Sequence, residues 1–171
     1  MVDTSHCPCL ISERVPIDPP ESLISQQSRA NYSARPPRNS MTRYILDTIE
    51  REHYSSGGGK TYDRASVDIE HIAPQSALSA EKYESWKPIL DVSEAEYKNQ
   101  YRNRIGNLTL LEERLNEEAS TNPFGQKKDQ YRLSDFQMTE YLRSNYQEWN
   151  TSTIEERSEE LAETATKIWD F

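Results

Sequence analysis

Four polar side chains are of the types that a metal-dependent hydrolytic site needs. Glu70 and His71 are adjacent, and Asn107 and Asn116 follow further along the chain. A neutral imidazole is the side chain best suited to take a proton near neutral pH, so His71 is the candidate general base. Carboxylate and amide oxygens suit Mg²⁺ or Mn²⁺, so Glu70 and Asn116 are the candidate ligands of one divalent metal ion. We expect Glu70 and His71 to face one cleft, with Asn107 holding the base in orientation.

The segments that carry these residues predict two short strands followed by a helix. Residues 67–72 alternate apolar and acidic side chains, which indicates a half-buried strand that presents His71 at its end. The leucines of residues 108–111 indicate a second strand, and residues 112–118 are expected to form a metal-facing helix. Between the strands lies a long polar insertion, residues 79–103. The predicted order is therefore strand, insertion, strand, helix.

Most of the remaining chain is expected to be helical. Residues 1–40 are rich in Pro, Ser and Arg and are predicted to form an irregular lead-in. Later segments repeat apolar residues at helical spacing, and Ser93 is a good N-cap within the insertion. The expected helices cover about 42–53, 80–86, 93–103, 134–149 and 153–169. The side chains expected in the core of the last two are Phe136, Tyr141, Leu142 and Tyr146, then Ile154, Leu161, Ala165 and Ile168. The predicted fold class is α+β, mainly helical.

Four ordered segments resemble the HNH, or ββα-metal, endonucleases. They are Asp68-Ile-Glu-His-Ile-Ala-Pro-Gln75, Ile105-Gly-Asn-Leu-Thr-Leu-Leu111, Leu115-Asn116 and Ser120-Thr-Asn-Pro-Phe-Gly-Gln-Lys127. Together with the tail from Ile154 to Trp169, they resemble more closely the C-terminal nuclease domain of modification-dependent restriction enzymes of the GmrSD kind. Similar domains occur in phosphorothioate-sensing phage-defence proteins. The resemblance extends from about Tyr44 to the end of the chain.

The resemblance implies a metal-dependent DNA endonuclease that nicks or cuts DNA for a phage-defence or modification-dependent restriction system. The nuclease domain would occupy residues 41–171, with the ββα-metal core at about 66–120 and the C-terminal helices at about 134–169. A helical insertion would separate the two strands. The alternative is an HNH-like module that no longer cuts and instead binds DNA or a partner sensing domain.

The resemblance also gives roles to individual residues. Lys127 matches a lysine that recurs in the family, and Arg102 and Arg104, just before Gly106, are candidates for contacts with the DNA backbone. The expected site is then His71 and Asn107 for catalysis, Glu70 and Asn116 for the metal, and Lys127, Arg104 and Arg102 for DNA phosphate.

The charge balance argues against strong DNA binding by this chain alone. It has 29 acidic and 20 basic residues, a net charge of -9 and a pI of about 4.9. Because affinity for duplex DNA comes largely from neutralising phosphates, we expect recognition to lie elsewhere. The family usually places a nucleotide-hydrolysing or modification-sensing domain before the nuclease, so such a domain or a partner protein is expected. The sequence leaves open whether the chain is an excised domain or a short stand-alone relative.

Several other classes of protein are disfavoured by the sequence. No apolar run approaches the roughly 20 residues of a membrane span, and no secretory signal begins the chain, so a cytoplasmic location is expected. His6, Cys7 and Cys9 are too few and too close together for a structural zinc site. The stretch around Gly59-Lys60-Thr61 lacks the first glycine of a phosphate-binding loop and is expected to be a turn.

Overall fold

A two-stranded antiparallel sheet lies at the centre of the fold. This is a computed structural model, and it describes residues 38–55, 66–79 and 84–169, all within one compact unit, Pro36–Phe171. Strand β1 is Val67–His71 and strand β2 is Leu108–Glu112, paired so that Glu70 faces Thr109 and His71 faces Leu108. A helix follows β2 directly. The predicted order of strand, insertion, strand and helix is therefore confirmed.

Helices surround this sheet, as expected for a mainly helical α+β protein. Two π-helical turns, Glu50–Tyr54 and Tyr97–Tyr101, and one 3-10 turn, Ile105–Asn107, connect or extend them. The α-helices are α1 Arg38–Ile49, α2 Lys87–Leu90, α3 Glu94–Glu96, α4 Glu113–Ala119, α5 Phe124–Tyr131, α6 Gln137–Asn145 and α7 Thr151–Trp169. None of the helices in the described ranges is long and apolar enough to cross a lipid bilayer.

Apolar side chains of the sheet enter two hydrophobic clusters. The first includes Ile72, Leu111 and Leu115 with aromatic residues from α5 and the segment before α7. The second includes Val67, Leu108 and Leu110 with residues of α1, α6 and α7. Because successive strand residues point to opposite faces, these short strands can contribute to both clusters. The polar residues of β1 therefore lie next to these two hydrophobic clusters.

The insertion differs in detail from the sequence-based expectation. Most of the helix predicted at 80–86 lies outside the described residues, and helix α2 begins only at Lys87. The helix predicted at 93–103 begins as expected: Ser93 caps α3 by accepting a hydrogen bond from the backbone N–H of Glu96 at 3.2 Å. It continues as the π-helical turn and ends at Tyr101. The first described helix, α1, begins at Arg38, a few residues before the predicted start at about 42, and the rest of the predicted irregular lead-in lies outside the described residues.

The region after α4 holds the largest differences. Helix α5 was not predicted, and the helix expected at 134–149 is shortened to α6, Gln137–Asn145. The N-terminus of α6 is capped by Glu50, whose carboxylate accepts the backbone N–H groups of Gln137 at 3.0 Å and Met138 at 2.8 Å. Tyr141 was expected in the core but is 36% exposed. A cap supplied from a distant helix leaves no local sequence pattern, which explains the misplaced start of α6.

Candidate nuclease site

His71 is the last residue of β1, and its ring lies half-buried at the end of the strand. Its Nε2 lies 3.2 Å from the side-chain oxygen of Asn103, in the turn before Gly106. Burial lowers the pKa of His71 and the nearby Lys127 and Arg102 lower it further, while the contact with Asn103 raises it. The lowered pKa favours the neutral imidazole, which is the form that can accept a proton.

Asn107 is completely buried, and both atoms of its amide are hydrogen-bonded. Its oxygen accepts the backbone N–H of Ala73 at 2.9 Å and the indole N–H of Trp149 at 3.1 Å. Its nitrogen donates to the backbone oxygens of Ala73 at 3.0 Å and Arg102 at 3.1 Å. These bonds hold the backbone that follows His71. The predicted orienting role of Asn107 can therefore act through this backbone, whereas the ring itself contacts Asn103.

Helix α7 holds the backbone on both sides of Asn107. Arg157 is fully buried and donates from one guanidinium nitrogen to the backbone oxygens of Gly106 at 2.6 Å and Leu108 at 2.8 Å. The N–H of Gly106 donates to Ser158 Oγ at 3.1 Å. A Cβ added at Gly106 would lie 2.1 Å from the backbone oxygen of Ile154, so only glycine fits this approach.

Arg157 is a supporting residue that the sequence analysis missed. The signal was present, because Arg157 and Ser158 lie between Ile154 and Leu161 on the helical stripe that was expected to be buried. A charged residue on such a stripe needs hydrogen-bond acceptors at its end. In this fold the acceptors are the two carbonyls that flank Asn107.

Glu70 is buried in an ion pair with Lys127. The Lys127 Nζ lies 2.6 Å from Glu70 Oε1 and also donates to the backbone oxygen of His71 at 3.0 Å. The hydroxyl of Tyr131 donates to the same Glu70 oxygen at 3.0 Å. Burial raises the pKa of Glu70 and lowers that of Lys127, and the attraction between the two charges opposes both shifts.

This ion pair bears on two of the predicted roles. Because Glu70 and His71 are successive strand residues, their side chains have different neighbours, and Glu70 points inward to α5. Lys127 has no exposed surface. A phosphate contact by Lys127 therefore requires this lysine to leave Glu70, and a metal ion on Glu70 Oε1 would compete with it. Both roles stay predictions.

A second pair of polar side chains lies on the same face of β1, nearer its start. The Asn116 side-chain nitrogen lies 3.3 Å from Asp68 Oδ2, and both residues are half-buried. The described residues contain no group of three or more His, Cys, Asp and Glu side chains arranged to hold a metal ion. Mg²⁺ needs no such group, because it commonly binds one or two carboxylates and keeps several waters. If the Asn116 amide turns over, its oxygen and the Asp68 carboxylate offer two oxygen ligands, so the residues fit this ion.

The two arginines before Gly106 are held to different degrees. Arg104 donates to Ser158 Oγ at 3.2 Å and lies 3.8 Å from a carboxylate oxygen of Glu155. Arg102 is half-buried, and its Nε has no hydrogen-bond partner among the residues that the structure describes. Arg102 is also close enough to His71 to lower the pKa of that ring. Of the two arginines, Arg102 is thus the one whose charge acts on the candidate base.

A comparison with known proteins identifies the family of this chain. The family model for the C-terminal domain of GmrSD restriction endonucleases matches residues 23–164. None of the curated proteins compared matches the chain. The matched range contains both strands and every residue of the candidate site, and covers most of the chain. The chain belongs to the family of GmrSD restriction endonuclease C-terminal domains, and is a nuclease domain of the restriction-endonuclease type.

Proposed function

We propose that this chain is an HNH-type endonuclease that hydrolyses DNA phosphodiester bonds with one divalent metal ion, Mg²⁺ or Mn²⁺. It would act in the cytoplasm as the cutting domain of a modification-dependent restriction or phage-defence system. The observation that carries the proposal is the half-buried His71 at the end of β1, in the ββα unit of a restriction-endonuclease family. The lowered pKa of His71 keeps its imidazole neutral and able to act as the base.

His71 takes the proton from the attacking water in this proposal. A general base is most effective when its pKa lies near the working pH, and an imidazole meets this condition near neutral pH. Asn107 acts at a distance from the ring, because its amide fixes the backbone of Ala73 and thereby the end of the strand. Arg102 is half-buried and its charge acts on His71, so it is the favoured contact for a DNA phosphate. Lys127 and Arg104 are the other candidates.

The metal would be held by oxygen ligands on the face of β1 that carries Asp68 and Glu70. Asn116 supplies one ligand, and the carboxylate is Asp68 or Glu70. A bound divalent ion supplies positive charge to the phosphate and to the leaving oxygen. The partners expected of this chain are DNA and a sensing domain or protein that delivers it, because a net charge of -9 disfavours binding to DNA unaided.

A second candidate function is a DNA-binding or partner-binding module that does not cut. The ion pair between Glu70 and Lys127 favours this second function. The lysine Nζ lies 2.6 Å from an oxygen of the predicted metal ligand and excludes a second cation from that oxygen. This candidate predicts no cleavage with any divalent metal. It also predicts that changing His71 leaves DNA binding as it was.

Cleavage of supercoiled plasmid decides between the two. The nuclease should convert supercoiled plasmid to the nicked or linear form with Mg²⁺ or Mn²⁺, and it should lose all activity in EDTA. His71→Ala should reduce the rate by about 10²-fold or more, the usual contribution of a general base, with an unchanged melting temperature. His53→Ala is the matched control, because His53 is exposed and lies outside the site. Undiminished cleavage in EDTA, or full activity of His71→Ala, would refute the mechanism.

The delivery step has its own experiment. The chain should cleave unmodified plasmid and plasmid carrying glucosylated, hydroxymethylated or phosphorothioated DNA at similar rates, because the modification would be sensed elsewhere. A large preference for one substrate would place the sensor within these 171 residues.

A further inference from the structure

The contact between His71 and Asn103 is the one hydrogen bond to the ring of His71 within the described residues. The amide oxygen of Asn103 lies 3.2 Å from His71 Nε2. Asn107 cannot supply this contact, because its amide is committed to Ala73, Arg102 and Trp149. Orientation of the ring is therefore left to a residue outside the four segments used to recognise the family.

The turn that carries Asn103 is held firmly on both sides. The N–H of Arg102 donates to the backbone oxygen of Tyr97 at 2.8 Å, and that of Arg104 to Tyr101 at 3.1 Å. The Asn107 amide nitrogen bonds both the Arg102 oxygen and the Ala73 oxygen. One buried amide thus joins the turn before Asn103 to the loop after His71. This link holds the backbone that carries Asn103 close to the backbone that follows His71.

The chemistry of the contact determines which ring nitrogen carries the proton. An amide oxygen can only accept, so Nε2 must donate to it. A neutral imidazole has one N–H group, and Nδ1 is then left with its lone pair. Only a nitrogen with a free lone pair can take a proton from water.

We propose that Asn103 is a positioning residue that holds His71 in the Nε2–H form and so makes Nδ1 the basic nitrogen. The catalytic consequence rests on the proposed nuclease function, whereas the tautomer does not. Asn103 acts through the ring and need not touch the substrate. Its loss should lower the rate of the chemical step without weakening DNA binding.

Proton–nitrogen correlation spectra of the isotope-labelled full chain test the tautomer directly. At about pH 8 an imidazole with a pKa near 6.5 is neutral. His6→Gln and His53→Gln assign the His71 signals, because the chain has three histidines. The wild type should show Nε2–H alone. Asn103→Leu should give a mixture of both tautomers, and Asn103→Asp, which keeps an acceptor, should restore Nε2–H. A wild type with Nδ1–H, or with the same mixture as Asn103→Leu, would overturn the proposal.

Single-turnover cleavage tests the consequence for catalysis. Asn103→Leu should lower the rate constant about tenfold, less than removal of the base itself, with the protein concentration for half-maximal rate unchanged. Asn103→Asp should recover most of the rate. In a His71→Ala background, Asn103→Leu should have no further effect, since the two residues act as a unit.

Asn99→Leu is the matched control, because Asn99 is exposed one turn earlier in the same segment. Equal losses from Asn103→Leu in both backgrounds, or a loss confined to DNA binding, would make Asn103 a DNA contact and overturn the proposal. If the wild type does not cut DNA at all, the proposed function fails, and the tautomer spectra still decide whether Asn103 holds the ring.

Discussion

The two asparagines of the predicted site lie in contrasting surroundings. Asn107 has no exposed surface, and its amide makes hydrogen bonds to three separate segments of the chain, the loop at Ala73, the turn at Arg102 and the indole of Trp149. Asn116 is half-buried on α4 and lies beside Asp68. The first side chain is fully used by the fold, whereas the second is accessible from solvent. The same residue type therefore serves to build the site in one place and can serve to bind a ligand in the other.

This difference indicates how the site is organised. A fully satisfied buried amide fixes the backbone around it at any metal or DNA concentration, because leaving its partners unpaired is costly. A half-exposed oxygen ligand must instead exchange its present contacts for those of an ion. The rigid layer around Asn107 thus supports the end of β1 that carries His71, which is the arrangement that precise catalysis requires.

The largest expected effect is loss of stability in Asn107→Leu. The substitution leaves the Ala73 N–H, the Trp149 indole N–H and the Arg102 carbonyl without a partner, whereas the Ala73 carbonyl keeps the Tyr97 hydroxyl. At about 1–3 kcal/mol for each buried group left unpaired, the free energy of unfolding should fall by at least about 3 kcal/mol. Urea denaturation measures this.

Asn116→Leu is the control for that stability measurement. Because Asn116 is half-exposed, the same change there should alter the free energy of unfolding by less than about 1 kcal/mol. Equal losses of unfolding free energy from the two substitutions would mean that Asn107 contributes no more to the stability of the fold than Asn116.

Metal binding should depend on Asn116, the asparagine that contributes less to stability. Mn²⁺ at about a hundred times its dissociation constant should stabilise the wild type by about 2.7 kcal/mol, as for any ligand of the folded state. Asn116→Ala should lose this stabilisation, which thermal denaturation with and without Mn²⁺ would show.

The same measurement on two further variants identifies the carboxylate ligand. Loss of the Mn²⁺ effect in Asp68→Asn, but not in Glu70→Gln, would assign the ion to Asp68. Loss in Glu70→Gln alone would assign the ion to Glu70. Full stabilisation of Asn116→Ala by Mn²⁺ would place the ion away from α4.

Gly106 gives a smaller effect on the rigid layer, with a control inside the same domain. Gly106→Ala places a methyl group 2.1 Å from the Ile154 backbone oxygen and 2.4 Å from Ser158 Oγ, and overpacking of this kind costs about 1–3 kcal/mol. Gly125→Ala in α5 meets no atom within 4 Å and should stabilise the helix by about 0.5–1 kcal/mol. In urea denaturation, Gly106→Ala should lower the free energy of unfolding and Gly125→Ala should raise it. No change in Gly106→Ala would show that α7 can move away from the turn that carries Gly106.

The sequence predicted well those elements whose pattern is local. Alternation in residues 67–72 located β1 to within one residue, and the leucines located β2. It failed where distant residues complete a structure. The partner of Glu70 is Lys127, 57 positions away in the sequence, and the cap of α6 comes from Glu50, 87 positions from Gln137. Neither distance leaves a periodic signal.

Similar reasoning applies to the site. Glu70 and His71 were expected to face one cleft because they are adjacent, yet adjacency on a strand sends two side chains in different directions. The contact of His71 with Asn103 could not be read from spacing, since it depends on the turn that follows the π-helical segment Tyr97–Tyr101. Residue types identified the candidate base, and only the fold identified its neighbours.

The smallest expected effect is a dependence of stability on pH at His71. Because burial lowers the pKa of His71 in the folded chain, the unfolded chain binds a proton at a higher pH than the folded one. Stability is therefore lost as the pH falls from about 6.5, the ordinary value for histidine, through the folded pKa. His71→Gln should lack this loss, so the wild type should become less stable relative to the variant on acidification from about pH 7 to about pH 5. Urea denaturation across that range, with His53→Gln as the matched variant, measures it. A difference in unfolding free energy that is constant with pH would mean that the ring is as well solvated in the folded chain as in the unfolded one, and burial would then not favour the neutral form of His71.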